Sequence, residues 1–219
     1  MKCDVLLVGL PSSDELTVQN KNCPVDWALR VVSTAADAAC GHTTICRDGL
    51  NQIKTILTDI ASGKGQSDDL MLLEDLCTVI VDDKDCAISV AAAEAVLFSL
   101  RSFTDDWEKH CVRKLCSSLI CKGCYSVYID PAVCNGCGAC LSKVKDGVIA
   151  GGPDLIHVLK DDAAVKEGNL EDYCPLGAMK KAGAIKPQVP QTPVPVGTFA
   201  PTGGLRRKRN RCLGEEGKK

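Results

Sequence analysis

Aromatic residues are scarce in this 219-residue chain, at 4% of the sequence. An interior this poor in large rings must be assembled from Ala, Val, Leu and Ile, or be held by something other than packing. No apolar run approaches the ~20 residues that a membrane-spanning helix needs. The opening stretch, MKCDVLLVGLPSSDEL, has too short an apolar run for a secretory leader, and acids follow it at once. Val5 to Leu10 reads as a short strand, but no glycine-rich phosphate loop follows, so no nucleotide-binding unit is expected. No acid/base pair or nucleophile triad is evident either, and the chain alone is expected to carry no catalytic site. An excess of either charge is also missing: 26 Lys and Arg stand against 28 Asp and Glu, for a net charge of -2. That argues against a nucleic-acid surface on the body of the protein. The basic residues gather only near the end, at Arg206, Arg207, Lys208, Arg209 and Arg211.

Cysteine is the opposite case, with 15 residues. A cysteine-rich chain is either secreted and disulfide-bonded or intracellular and metal-bound. The odd number, the C-x-x-C spacings and the missing leader favour metal and a cytoplasmic location.

From Val25 onward the apolar pattern is helical. Trp27, Val31, Val32, Ala35 and Ala39 share one face. Leu50, Ile53, Ile56, Leu57 and Ile60 mark a second helix, which stops at Ser62-Gly63-Lys64-Gly65. Ser67 is placed to cap a third, with Leu70, Leu73, Leu76 and Val79 as its inner stripe. A fourth is expected from about Val90 to Lys109, carrying Val96, Leu97, Leu100, Phe103 and Trp107. Four such helices with short connections predict a small four-helix bundle. Beyond Cys111 the pattern changes. Tyr125 to Ile129 alternates like a strand, and Val148–Ala150 and Leu155–Val158 flank Gly151-Gly152-Pro153-Asp154 as a hairpin. The stretch after Gly183 is rich in Pro, Gly and Thr and is expected to be extended or disordered unless a partner orders it. The fold class is therefore α+β. The expected divisions are an N-terminal segment (1–23), a helical domain (24–110), a Cys-rich junction (111–124), a second domain (125–184) and a Pro-rich, basic tail (185–219).

Residues 134–140 read CNGCGAC, and Cys174-Pro175 lies further on. Thiolates at two-residue intervals, with glycines that let the backbone wrap closely, suit a cubane cluster. The pattern resembles the bacterial two-cluster ferredoxins, in which C-x2-C-x2-C-x3-C-P occurs twice. Here the second motif has lost its ligands: Ala164, Glu167 and Leu170 stand at three of its cysteine positions, and Val144 at the fourth position of the first motif. The resemblance implies a ferredoxin-like domain with one [4Fe-4S] cluster on Cys134, Cys137, Cys140 and Cys174. A structural zinc on the same thiolates is the competing reading.

The helical region has a resemblance of its own. Residues 39–49, ACGHTTICRDG, look like the S-C-G-x-C-x-P-C-R-x-G motif of the NADH-oxidising flavoprotein subunit of respiratory complex I and of NAD-linked, electron-bifurcating hydrogenases. Asp85-Cys86-Ala87, followed by a long helix, resembles the later loop that brings the fourth ligand there. The resemblance covers roughly residues 24–110, and implies a second cluster on Cys40, Cys46 and Cys86, with Thr43 where the family's remaining cysteine would stand. The alternative is that these cysteines are buried small hydrophobes. The flavin- and NADH-binding portion that would precede this region has no counterpart in the two dozen residues before it, so NADH oxidation is not carried over.

In the same relatives the joint between the two units reads as His followed by C-x4-C, which His110, Cys116 and Cys121 match. Imidazole with thiolates is zinc chemistry, with Cys111, Cys124 or a residue from elsewhere as fourth ligand. Cys3, Cys23, Cys77 and Cys212 fit no motif and are read as ordinary thiols; His157 is read as packing. The expected function is an iron–sulfur electron-transfer subunit of a larger soluble oxidoreductase complex, whose partner carries flavin, molybdenum or tungsten, or is of hydrogenase type. The alternatives are a docking scaffold with a partly lost cluster set, or an enzyme using an open iron of a three-cysteine cluster.

Overall fold

A computed structural model describes residues 9–17 and 22–200. Most of the strand expected at Val5 to Leu10, together with Cys3, Cys212 and the terminal basic cluster, lies outside the described residues. The first helix, α1 (Asp14–Thr17), is a single turn. It is followed by α2 (Pro24–Ala38), α3 (Leu50–Ala61), α4 (Asp68–Asp83) and α5 (Ala87–Ser102).

Helix α2 starts where Pro24 supplies a preset φ at a position whose N–H would be unpaired anyway. It buries Trp27, Ala28, Val31, Val32 and Ala35, the face that the sequence pattern marks. Helix α3 buries Leu50, Ile53, Leu57 and Ile60 and ends at Ser62, after which Gly63 takes a left-handed φ of 79°. Helix α2 packs on both α3 and α5, and α4 packs on α5. All four contribute to one continuous core.

Three helical expectations need correction. Ser67 makes no capping hydrogen bond; Asp69 accepts from the Gln66 N–H at 2.7 Å instead, closing the first turn from the other side. The inner stripe of α4 is Leu73, Cys77 and Ile80, and Val79 is exposed. Cys77 behaves as a small hydrophobe, and turning it inward rotates Val79 out. The fourth expected helix is in fact broken. Phe103 leaves helical geometry (φ -130°, ψ 37°) and α6 (Thr104–Glu108) continues at 90° to α5. The bend tucks the Trp107 indole beneath α5, where its Nε1–H donates to Ser99 Oγ at 3.2 Å, and Ser99 Oγ donates to Pro24 O at 3.3 Å. No single helix among the described residues is long and apolar enough to cross a membrane.

A π-helical turn (Lys109–Arg113) and a loop of cysteines lead to β1 (Ser126–Ile129). Next come β2 (Ile149–Ala150), β3 (Leu155–Ile156), β4 (Val158–Leu159), the single-turn helix α7 (Leu170–Tyr173), β5 (Met179–Ala182) and β6 (Val194–Pro195). Strand β1 pairs antiparallel with β5, Ser126 opposite Ala182 and Ile129 opposite Met179. The hairpin pairing is between β2 and β4, with Ile149 opposite Leu159. Strand β3 instead pairs with β6, Ile156 opposite Val194. The stretch after Gly183 is thus placed on the body of the protein as far as residue 200, with Phe199 packed on the second core. Pro195 is tolerated because a two-residue edge strand needs few donors. The second core also takes in Val144 and Leu170, which bring apolar bulk to the positions where the ferredoxin pattern would have cysteine.

The two halves meet through glycine. A Cβ on Gly123 would lie 1.9 Å from the Ser62 carbonyl carbon, and one on Gly63 would lie 2.7 Å from Gly123 O. The cysteine loop therefore touches the end of α3 backbone to backbone, a contact that no side chain could enter.

Candidate iron–sulfur and metal sites

Three cysteine sites emerge. The first is built on the loop 134–140. The Cys134 N–H donates to Asp130 O at 3.0 Å, and the Asp130 N–H to Ala178 O at 2.8 Å, so the loop hangs from the β1–β5 pair. Gly136 and Gly138 have φ of 74° and 73°. A Cβ on Gly136 would come within 2.8 Å of the Asp154 backbone, where the β2–β3 turn backs onto the loop. Cys174 arrives from the end of α7, and its Sγ accepts the Ala178 N–H at 3.4 Å. Cys134, Cys137, Cys140 and Cys174 all line one cavity, together with Ile129, His157 and Met179. Burial, followed by the neighbouring Cys134, Cys174 and Cys137 thiols, pushes the Cys140 pKa up. Cys137 is exposed and the other three are buried. A cubane fits this donor set: four thiols around one cavity, with backbone N–H groups already directed at two of the sulfurs.

His157, expected from its place in the hairpin to serve packing, belongs here. Its Nδ1 lies 3.5 Å from Cys134 Sγ, and its backbone N–H donates to the same sulfur at 3.5 Å. Burial lowers its pKa.

The second site lies where α3 and α5 begin. Cys46 is buried in the π-helical turn that leads into α3, and Cys86 is the residue preceding α5. The two thiols influence each other's ionisation, and Ser89 Oγ donates to Cys86 O at 2.9 Å. Burial first, and then Cys86, raises the Cys46 pKa to about 11. Cys40 is exposed but near enough to act electrostatically on Cys46. Thr43 Oγ1 accepts the Cys46 N–H at 3.3 Å, so this hydroxyl serves the helix start.

The third site is at the junction, where the fourth partner is neither Cys111 nor Cys124. Cys124 Sγ instead faces Ile60 O at 3.7 Å, and burial raises the Cys111 pKa to about 11. The fourth partner is Cys23, the residue before α2. Its Sγ lies 3.3 Å from His110 Nε2 and 3.5 Å from Cys121 Sγ. The ligand atoms of Cys23, His110, Cys116 and Cys121 all lie within 4.8 Å of one another, and all four residues are buried. A tetrahedral ion with bonds of ~2.3 Å to sulfur would set its ligands roughly 3.8 Å apart. The His110 Nδ1 is 2.6 Å from Asp106 O, which fixes its proton there and leaves Nε2 free to coordinate. Without a cation the thiols compete for protons: hydrogen bonding from Cys121 pulls the Cys116 pKa far down, and Cys116 drives that of Cys121 far up. His110 is drawn into the same competition: burial opposes its charging, but the Cys116 and Cys23 thiols raise its pKa to about 10. Sequence spacing does not reveal Cys23, because its partners are 87 and 98 residues away.

Comparison with known proteins bears on this arrangement. The chain is 31% identical over 129 residues to HndC, a component of the NADP-reducing hydrogenase of Solidesulfovibrio fructosivorans, covering 59% of this chain and 26% of that protein. It is 30% identical over 107 residues to an F-type component of the NADH-quinone oxidoreductase of Rhizobium meliloti, covering 49% and 25%. To the F-type component of the Streptomyces coelicolor NADH-quinone oxidoreductase it is 34% identical over 94 residues, covering 43% and 21%. The chain thus spans about a quarter of the length of these curated relatives. Residues 26–110, which hold Cys40, Cys46, Cys86 and His110, match the NADH-ubiquinone oxidoreductase-F iron-sulfur binding region.

Proposed function

We propose that the chain is an iron–sulfur electron-transfer subunit of a larger oxidoreductase complex, with a [4Fe-4S] cluster on Cys134, Cys137, Cys140 and Cys174. The observation that carries this reading is the convergence of those four thiols on one cavity, in a chain whose residues 26–110 match an iron–sulfur binding region. Such a cluster takes up and passes on one electron at a time. The chain's own part is to hold the thiolates, shield three of them, and direct N–H groups at the sulfurs of Cys134 and Cys174. The exposed Cys137 marks the side where a partner's cofactor comes nearest. That partner is a larger redox protein with a flavin, molybdenum, tungsten or hydrogenase centre. The relatives are named as components of a hydrogenase and of quinone oxidoreductases, which supports an assembly of this kind.

The junction set Cys23, His110, Cys116 and Cys121 is proposed to bind structural zinc. Three thiolates and one imidazole close a tetrahedron with no open position, as structural rather than catalytic zinc requires. At the helical site Cys40, Cys46 and Cys86 form a three-thiol set for a second cluster. The engagement of Thr43 with the Cys46 N–H favours the alternative for that half, a docking scaffold.

Iron and zinc counted on anaerobically purified protein test all three assignments. We expect zinc near ~1 and iron near ~4, or near ~7 to ~8 when the helical site is also filled. Iron near zero would sink the electron-transfer reading.

A further inference from the structure

His157 sits between β3 and β4 with 2% of its surface exposed. Gly151 makes room for it: a Cβ there would lie 1.9 Å from His157 Cδ2. The ring is thus wedged between a glycine and Cys134, with Nδ1 3.5 Å from the Cys134 sulfur. Its Nε2 is the one buried side-chain nitrogen or oxygen among the described residues that has no hydrogen-bond partner.

That asymmetry selects a tautomer. With the proton on Nδ1, the ring donates to sulfur and only an acceptor is left bare. With the proton on Nε2, a buried donor would be orphaned and a lone pair would face an electron-rich sulfur. Orphaned buried donors are the rarer and costlier case. We propose that His157 is a positioning residue for the [4Fe-4S] site. It donates an Nδ1–H···S hydrogen bond to the Cys134 thiolate and so raises the cluster's reduction potential. The inference rests on the cluster assignment made above. Reduction adds negative charge to the cluster and its thiolates, so a donor aimed at sulfur stabilises the reduced state more than the oxidised one.

The test begins with iron on the wild-type chain. Iron far below ~4 per chain and no reduced-cluster EPR signal would refute the cluster reading itself. With the cluster present, redox titration followed by EPR compares wild type with His157→Phe, which keeps the ring volume and removes the donor. At a fixed potential, the ratio of reduced to oxidised cluster should fall about tenfold, a midpoint shift of ~59 mV for one electron. His157→Asn, which returns an N–H near the Nδ1 position, should recover most of the shift. A His157→Phe midpoint within about twofold of wild type in that ratio would overturn the proposal. If His157→Phe loads no cluster, pulsed EPR on otherwise wild-type protein decides the matter. Ring-15N-histidine in a His42→Gln background should show a 15N coupling on the reduced ferredoxin-type signal. Absence of that coupling overturns the proposal without any variant at His157.

Discussion

Replacing Cys23 with alanine should cost far more than a lone cysteine ordinarily would. The thiol lies before α2, and its partner Cys121 is 98 residues further on. The zinc proposed for this set would close a loop of nearly the whole helical half. In the chain-entropy treatment of a crosslink, closing ~100 residues is worth about 4.7 kcal/mol. His110, Cys116 and Cys121 remain in Cys23→Ala, but they close only short local loops. The expected loss is therefore about 4–5 kcal/mol, which at roughly 2–4 °C per kcal/mol lowers Tm by about 10–20 °C. The assay is thermal unfolding by circular dichroism, run anaerobically with and without a zinc chelator, beside metal analysis. The chelator should lower Tm strongly in wild type and little in Cys23→Ala. Cys111→Ala serves as control: it is also buried but outside the set, and should keep its zinc and its response to chelator. An equal chelator response in wild type and Cys23→Ala would refute the long-range closure.

Three further outcomes are expected. Gly123→Ala forces a methyl into the Ser62 carbonyl and should destabilise by about 1–3 kcal/mol, read by denaturant unfolding. In cluster-free, folded protein at pH 8, iodoacetamide should modify the exposed Cys40 and Cys137 first among the described cysteines. Cys77, whose pKa burial pushes up to about 12, should react last, and peptide mass mapping gives the order. Lys180, 2.7 Å away, lowers the Asp130 pKa, so this carboxylate contributes stability above its unfolded value near 3.8 and loses it as the pH falls below that. Asp130→Asn should accordingly be less stable than wild type by ~0.5–1 kcal/mol at pH 7, with the gap closing in urea titrations below about pH 3.

The helices were legible in the sequence to the extent that their apolar stripes were unbroken. Helices α2 and α3 could be read almost residue by residue, because Trp27, Val31, Ile53 and Leu57 recur at helical spacing and face one core. The stripe of α4 departs from the aliphatic pattern because Cys77, and not Val79, faces the core. The break at Phe103 has no Pro or Gly to announce it, and is imposed by packing Trp107 under α5. The clustered cysteines were visible because a loop that wraps a cubane keeps its ligands adjacent in sequence. Cys23 and His157 were not, since each meets its partners across 23 residues or more and neither stands in a local motif. The pairing of β6 with β3 involves two residues, one of them Pro195, and offers no periodicity to read.

The distance in sequence between Cys23 and its partners also sets an order of events during synthesis. A ribosome adding ~5–20 residues per second delivers Cys121 roughly 5–20 s after Cys23. Through that interval Cys23 has no metal site to enter, and its thiol is open to oxidants and stray ions. The binding set is complete only when the helical half and the junction have both emerged. Capture of the zinc proposed for this set would therefore be a step that the chain reaches only once its helices have been made.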